Sequence, residues 1–257
     1  MKNLIDTHMH LYSELYINNR EEIINDMKEK LDLAVNISCD MESTLESVKY
    51  ADKYDFMYAT VGYHPCDISK FNEKDFEEML NLAINHPKVV AIGEIGLDYY
   101  WMNDSKEEQE KYFRLQIENA IKLNMAIVIH TRDSLEDTIK IIEDYPELRG
   151  IFHCYSGSYE DIEHLLDRFY VGIGGTSTFK NNKTTHDLIK KISLDRIVLE
   201  TDSPYLTPVP FRGKLNNPIY VSYVAEKIAE LKEIDLEEVK KKKTTENALK
   251  VYNICLK

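Results

Sequence analysis

The segment Leu4-Ile5-Asp6-Thr7-His8-Met9-His10 distinguishes between two α/β folds. Its first part, Leu4–Thr7, has the pattern of a short buried strand. In a doubly wound domain that binds a dinucleotide, a glycine-rich turn follows the first strand. Two histidines stand at this place instead, so the segment argues against that fold.

Seven more β-branched or apolar runs follow along the chain. We predict strands at Leu33–Ser38, Met57–Gly62, Val89–Ile95, Ala126–His130, Gly150–His153, Tyr170–Gly174 and Arg196–Glu200. Apolar residues recur at helical spacing between them, which predicts helices at Glu21–Leu31, Glu42–Lys53, Lys74–Asn85, Ser105–Asn124, Ser134–Asp144, Tyr159–Arg168 and Thr184–Lys191. Eight alternating units predict an α/β fold, a single (β/α)8 TIM-barrel domain over residues 1–257, with extra C-terminal helices at Ile219–Leu231 and Leu236–Cys255.

Composition favours a globular enzyme that stays in the cytoplasm. Hydrophobic residues make up 43% of the chain, and no apolar run approaches the roughly 18–20 residues of a membrane span. The four cysteines form no CxxC pair, so we expect reduced thiols. The net charge of −13 opposes non-specific binding to nucleic acid or to an anionic membrane. We expect a monomer without an obligate protein partner, because the sequence has no coiled-coil repeat.

Chemistry-bearing side chains collect at predicted strand ends. Of the eight histidines, five fall there: His8, His10, His64, His130 and His153. Glu94 and Asp202 hold equivalent places on the fourth and eighth strands. In a barrel the carboxyl ends of the strands meet at one mouth, where active sites are built. Hydrogen-bonded packing is the alternative interpretation of the His8–His10 pair taken alone, but the whole set predicts two metal ions that share a carboxylate.

Such a site suits hydrolysis of a phosphodiester. Two ions about 3.5–4 Å apart lower the pKa of water and stabilise the attacking and leaving oxygens. Arg132, Lys180, Arg212 and Lys214 fall in predicted βα-loops on the same side, where arginine can hold a phosphate with two donors. Ordinary surface ion pairs are the alternative interpretation of these four cations.

Two further stretches have two interpretations each. Tyr99, Tyr100 and Trp101 can stack on an unpaired base or can pack within their loop. The glycines from Gly172 to Gly175 can admit a phosphate or sugar to the backbone, or can form a tight turn.

Six ordered motifs resemble the TatD-type metal-dependent deoxyribonucleases of the amidohydrolase-like barrel superfamily. They are Ile5-Asp6-Thr7-His8-Met9-His10, Val61-Gly62-Tyr63-His64-Pro65, Gly93-Glu94-Ile95-Gly96-Leu97-Asp98-Tyr99-Tyr100, His130-Thr131-Arg132-Asp133, Phe152-His153-Cys154-Tyr155-Ser156-Gly157 and Leu199-Glu200-Thr201-Asp202-Ser203-Pro204-Tyr205-Leu206. Arg212-Gly213-Lys214, Asn217-Pro218 and Thr245-Glu246-Asn247-Ala248 also match. The resemblance covers essentially the whole chain.

The resemblance implies a two-metal hydrolase that cleaves DNA, often from the 3′ end of single strands, with roles in DNA repair and degradation. The implied metal ligands are His8, His10, Glu94, His130, His153 and Asp202, with Glu94 bridging. By the same resemblance, His64 contacts the scissile phosphate and Asp202 orients or deprotonates the water. Arg132, Arg212 and Lys214 complete the predicted substrate-binding set. One position departs from the pattern, because Cys66 stands where many relatives have a histidine.

Two other functions use the same scaffold. A binuclear amidohydrolase or lactonase acting on a small molecule also needs HxH and later histidines, although many such enzymes bridge their metals with a modified lysine rather than a glutamate. The third hypothesis is a non-enzymatic barrel that serves as a binding module. The complete set of candidate ligands argues against it. The family's chemistry is usually supported by Mg2+, whereas an imidazole-rich site favours Zn2+, Mn2+ or Fe2+ as the ion bound.

Overall fold

Eight strands and nine α-helices are found in the computed structural model of the chain, which describes residues 4–255 and, of residues 241 and 242, the backbone only. The strands are β1 Ile5–Met9, β2 Leu33–Asn36, β3 Met57–Val61, β4 Val89–Asp98, β5 Ala126–Arg132, β6 Gly150–Phe152, β7 Phe169–Ile173 and β8 Ile197–Leu199. The helices are α1 Arg20–Lys30, α2 Met41–Lys53, α3 Glu73–Asn85, α4 Lys106–Lys122, α5 Leu135–Glu143, α6 Tyr159–Ile162, α7 Lys183–Lys191, α8 Val221–Lys232 and α9 Thr245–Val251. The ends of the predicted domain, residues 1–3 and 256–257, lie outside the described part.

The strands form one sheet in chain order, from β1 to β8. A parallel bridge between Met9 and Ser203 links the ends of the first and last strand segments. The alternation of parallel strands and helices is that of a (β/α)8 TIM barrel, so the predicted fold class is confirmed. None of the helices within residues 4–255 is long and apolar enough to cross a membrane.

Contacts group the chain into two compact units. The first comprises residues 4–36, 154–250 and 254–255, and its strand pairs are β1 with β2 and β7 with β8. The second comprises Ile37–His153 and Val251–Asn253, and in it β3, β4, β5 and β6 pair in sequence. Whether the chain behaves as one domain stays a prediction.

Helix α4 illustrates why these residues form these elements. Ser105 caps its first turn by accepting a hydrogen bond from the backbone N–H of Glu108. Its buried side chains recur at helical spacing: Gln109, Phe113, Gln116, Ile117 and Ala120. This stripe gives α4 one face against the sheet and one face toward solvent.

Two helix predictions were wrong in detail. The predicted helix Tyr159–Arg168 is α-helical only as far as Ile162, and the turn after it is 3₁₀, which keeps Ile162 and Leu165 on one buried side. The predicted helix Leu236–Cys255 is π-helical over Glu238–Thr244 before α9 begins. The hydroxyl of Thr244 donates to the carbonyl of Val239, five residues earlier, and so supports the wider turn.

Strands β4 and β5 also run further than predicted, to Asp98 and Arg132. Arg132 is therefore the last residue of β5 and does not lie in a βα-loop. Gly96, the first residue beyond the predicted strand Val89–Ile95, has a φ of +147° and pairs with His130 of β5. A Cβ there would be 2.0 Å from the carbonyl oxygen of His130, so glycine permits the close pairing that extends both strands.

Candidate metal centre

The first group of candidate ligands, the Asp202 cluster, consists of His8, His10 and Asp202. The Nε2 atoms of His8 and His10 lie 3.2 Å apart. Asp202 Oδ1 is 3.7 Å from the first nitrogen and 3.3 Å from the second. Both imidazoles are buried, while Asp202 is partly accessible. Two ring nitrogens and a carboxylate oxygen thus converge in the first unit.

Backbone bonds from the end of β1 hold Asp202 in place. Its N–H donates to the carbonyl of His8 at 2.9 Å, and the N–H of His10 donates to the carbonyl of Ser203 at 2.8 Å. Asp202 has a φ of +55°, a left-handed conformation that aspartate tolerates better than most residues. The sharp turn directs its carboxylate to the two imidazoles.

Asp6 stabilises the Asp202 cluster through hydrogen bonds to neighbouring residues. Its carboxylate accepts hydrogen bonds from the backbone N–H groups of His8 and Thr201 and, at 2.6 Å, from the Thr201 hydroxyl. Complete burial raises the pKa of Asp6 well above its ordinary value, although these hydrogen bonds partly oppose the shift. Asp6 therefore connects the two chain segments that carry the cluster.

The second group, the Glu94 cluster, places three imidazoles around one carboxylate oxygen. Glu94 Oε1 is 2.8 Å from His130 Nδ1 and 3.8 Å from the Nε2 atoms of His64 and His153. Glu94 and His153 are buried, and the other two histidines are partly exposed. His64 and His153 follow the ends of β3 and β6, and His130 lies near the end of β5. Glu94 was predicted near the end of its strand but lies within β4, which continues to Asp98.

Asp98 contacts the far side of one of these imidazoles. Its Oδ2 lies 3.0 Å from Nε2 of His130, whose other nitrogen faces Glu94. Burial opposes the ionisation of Asp98, but hydrogen bonds from His130 and from the backbone lower its pKa to about 2. Burial likewise disfavours the imidazolium, yet the bonds to Asp98 and Glu94 raise the pKa of His130. A histidine oriented by a carboxylate on its outer nitrogen is a common arrangement at metal centres.

Two buried glutamines of α4 fix the strand ends that carry this cluster. Gln116 accepts from the N–H of Tyr63 at 2.7 Å and donates to its carbonyl at 3.1 Å. Gln109 makes the same pair of bonds to the backbone of Asp98, at 2.8 and 3.0 Å. Tyr63 immediately precedes His64, and the side chain of Asp98 contacts His130. Helix α4 therefore positions the backbone at His64 and at Asp98.

The ring of His64 has a defined neutral tautomer. Its Nδ1 accepts a hydrogen bond from the backbone N–H of Cys66 at 3.1 Å, which leaves the proton of the neutral ring on Nε2. Burial, together with the nearby carboxylates of Asp98 and Glu94, raises the pKa of the Cys66 thiol to about 12. Position 66 therefore presents a neutral thiol.

In the described part of the chain, the four predicted cations do not form ordinary surface ion pairs. Within residues 4–255, no carboxylate lies at ion-pair distance from Arg132, Lys180, Arg212 or Lys214. Instead, the guanidinium of Arg132 lies 3.8 Å from the centre of the Tyr100 ring, and that of Arg212 lies 4.4 Å from the centre of the Phe179 ring. The charges of both arginines remain available to a ligand.

The glycines at the end of β7 serve packing. A Cβ at Gly172 would be 2.2 Å from Oε2 of Glu200, whose fully buried carboxylate accepts a 2.7 Å hydrogen bond from the N–H of Cys154. Glycine at this position makes room for a buried acid. This packing role was neither of the two interpretations that the sequence offered for the stretch.

The sequence predicted one set of ligands at the strand ends, without dividing it into two groups, and it missed three residues that position them. Asp98 was noticed only as part of a motif, and the buried glutamines Gln109 and Gln116 were not singled out. Their signal was present, because two glutamines seven residues apart on the apolar face of a helix need buried polar partners.

The donor spacing suits metal ions. Two ligands about 2.1 Å from one ion, at angles of about 90–110°, lie about 3.0–3.4 Å apart. The 3.2 Å separation of the nitrogens of His8 and His10 falls in this range. Mixed imidazole and carboxylate donors are chemically suited to divalent transition metals.

Comparisons with known proteins agree with this picture. The family model described as TatD-related DNase matches residues 5–253. The "uncharacterized metal-dependent hydrolase YabD" of Bacillus subtilis (strain 168) is 44% identical over 98% of this chain and 99% of its own. The crystal structure of YJJV, a TatD homologue from Escherichia coli K12, has a TM-score of 0.91 at 25% identity and covers 99% and 100% of the two chains. A dihydroorotase from Campylobacter jejuni, with a TM-score of 0.62 and 16% identity over 99% of this chain and 84% of its own, shares the fold alone.

Fold and donor clusters together define a (β/α)8-barrel hydrolase of the metal-dependent type. Within that class, the chain belongs to the TatD-related DNase family.

Proposed function

We propose that this hydrolase cleaves phosphodiester bonds of DNA as a 3′-to-5′ exodeoxyribonuclease on single strands. The observation that carries the proposal is the presence of cations without carboxylate partners in the described residues, close in sequence to the donor residues. Arg132 follows the ligand candidate His130 by two residues, and Arg212 and Lys214 lie in the loop after Asp202. On a chain with a net charge of −13, such cations favour a polyanion at this place.

We propose that the clusters hold two divalent ions. His8, His10 and Asp202 are the ligands proposed for one, and Glu94, His130 and His153 for the other. Bound there, the ions would lower the pKa of water and offset phosphate charge. The bridging role of Glu94 remains a prediction from the family resemblance. We expect Mg2+ to support activity, and Zn2+, Mn2+ or Fe2+ to be retained on isolation.

The chain's own residues then have separate tasks. Asp202 orients the water and accepts its proton on a carboxylate oxygen. His64, with its proton on Nε2, donates a hydrogen bond to a non-bridging phosphate oxygen. Arg132, Arg212 and Lys214 bind the phosphates of the strand, where an arginine can offer two parallel donors.

Digestion of end-labelled DNA tests the proposal. A single-stranded oligomer labelled at its 5′ end should give a ladder of shortened products, whereas one labelled at its 3′ end should release labelled mononucleotide at once. Protein stripped of metal and resupplied with Mg2+, Mn2+ or Zn2+ identifies the ions that support cleavage.

Two variants accompany the digestion. Asp202→Asn keeps the size and the backbone tolerance of the residue and should abolish cleavage. Asp167→Asn changes an exposed aspartate of the same unit and should cleave like the wild type. If protein that binds two metals cleaves DNA with none of these ions, the proposal is contradicted. Small-molecule esters and amides would then be the substrates to test.

A further inference from the structure

We propose that Tyr100 and Trp101 form a stacking platform for an unpaired base of the substrate strand. This inference rests on the proposed function and adds a base subsite to it. We call the two residues the aromatic platform.

The aromatic platform is unusually exposed for its composition. The exposed fraction is 55% for Tyr100 and 60% for Trp101, and the next residue, Met102, is also exposed. The two rings meet edge to face, with centroids 5.0 Å apart and an interplanar angle of 89°. Packing within the loop therefore leaves much of both rings in water, which a base could displace.

The loop that carries the platform is held by hydrogen bonds. One carboxylate oxygen of Asp98 accepts from the N–H groups of Tyr100 and Trp101, each at 2.9 Å. The N–H of Tyr99 donates to the carbonyl of Arg132 at 2.9 Å, and the Tyr99 hydroxyl bonds to Asp137 at 3.1 Å. A platform that is already ordered loses little conformational entropy when a base binds.

A cation lies directly against the platform. The guanidinium carbon of Arg132 is 3.8 Å from the centre of the Tyr100 ring and 5.6 Å from that of the Trp101 ring. Arg132 is exposed and has no carboxylate partner within residues 4–255. An aromatic surface beside an uncommitted arginine matches a nucleotide, which offers a flat base and a negative phosphate.

The platform is connected to the Glu94 cluster by a single side chain. Asp98 holds the N–H groups of the platform with Oδ1 and contacts Nε2 of His130 with Oδ2. A base on the platform would thus belong to a nucleotide near the reacting phosphate. Because paired bases are already stacked within a duplex, the platform selects single strands.

Intrinsic fluorescence reports directly on the platform, since Trp101 is the only tryptophan in the chain. Metal-loaded protein is titrated with a phosphorothioate-linked thymidine oligomer, which resists cleavage, and with an abasic oligomer of the same backbone. We expect the base-containing oligomer to quench the tryptophan and the abasic oligomer to leave it unchanged, even where both bind.

Steady-state kinetics gives the second measurement. Trp101→Ala should raise KM for single-stranded DNA by about 5- to 150-fold, the range expected for one stacked base, with a smaller effect on kcat. Ile84→Ala is the matched control, because Ile84 is also 60% exposed but lies near the C-terminal end of α3. Its kinetics should equal those of the wild type.

The outcomes separate the platform from the proposed function. Cleavage of DNA without base-dependent quenching, together with unchanged KM in Trp101→Ala, would overturn the platform and leave the nuclease intact. Base-dependent quenching without cleavage would support the platform and contradict the nuclease. Absence of both would contradict the two proposals together.

Discussion

At the scale of single residues, Asp98 is a carboxylate outside the Glu94 cluster that contacts one of its imidazoles. Replacing it by asparagine removes the negative acceptor that faces His130 Nε2. Loss of such a partner typically weakens metal binding by about 10- to 100-fold. We expect Asp98→Asn to lower zinc affinity by this amount, measured by competition with a chelating dye.

A matched pair elsewhere in the same unit supplies the control. Asp52 lies 2.9 Å from Nε2 of His86, outside both clusters. Asp52→Asn should leave zinc affinity at the wild-type value. Equal affinities in all three proteins would contradict the positioning role of Asp98.

Two neighbouring glycines offer a sharper comparison of stability. Gly172→Ala would place a Cβ against the buried carboxylate of Glu200, whereas Gly174→Ala would meet its nearest atom at 3.6 Å. We expect the first to lower the free energy of unfolding by about 1–3 kcal/mol, as overpacking usually does, and the second to be nearly neutral. Urea unfolding of both variants measures the difference, and equal stabilities would show that Glu200 moves aside at no cost.

At the scale of elements, the first turn of α2 is stabilised by Asp40. Its carboxylate accepts from the N–H of Ser43 at 2.9 Å and from Lys70 at 2.7 Å. Burial raises the pKa of this carboxyl, but the bonds from Lys70 and Ser43 outweigh it, so the net shift is downward. The folded pKa is lower than the unfolded one, so the stabilisation is present above about pH 4 and is lost as pH falls through the folded pKa.

Asp40→Ala should therefore cost about 0.5–2 kcal/mol at neutral pH, the usual cost of removing a helix cap. The difference from wild type should narrow as the pH falls below about 4, since the native carboxyl then becomes protonated. Urea unfolding at neutral and acidic pH measures both values. Asp55→Ala, at an exposed position between α2 and β3, serves as the control, and a difference independent of pH would contradict the assignment.

Elements were predictable to the extent that their pattern is local. Strands such as Ala126–His130 are nearly continuous apolar runs, so the residues of the segment itself are enough to predict a strand. The extension of β4 past Gly96 depends on the backbone of β5, which no local window contains. For the same reason the donor residues could be proposed from local motifs, while Gln109 and Gln116, which act on the backbone of other elements, were missed.

At the scale of the whole molecule, the net negative charge opposes DNA binding, whereas the three proposed phosphate-binding cations favour it. Three cations on a chain of net charge −13 predict a modest salt dependence of DNA binding. Each phosphate contact to a single strand contributes a slope of about −0.7 to log affinity against log salt concentration, so three contacts give about −2.

Removing one cation should change that slope by a definite step. Arg132→Ala, Arg212→Ala and Lys214→Ala should each reduce its magnitude by about 0.7, as measured from KM for single-stranded DNA at several salt concentrations. Lys122→Ala, at the exposed end of α4, should not change it. Identical slopes in all variants would mean that these cations do not contact phosphate.

The left-handed backbone at Asp202 limits which residues can replace this aspartate during evolution. Glycine, asparagine and aspartate adopt a φ of +55° with less strain than most residues, so substitutions by these residues at position 202 disturb the backbone least. A descendant that abandons catalysis while keeping its fold should carry asparagine or glycine there. The residue at position 202 would thus distinguish the catalytic members of a lineage from members that have lost catalysis.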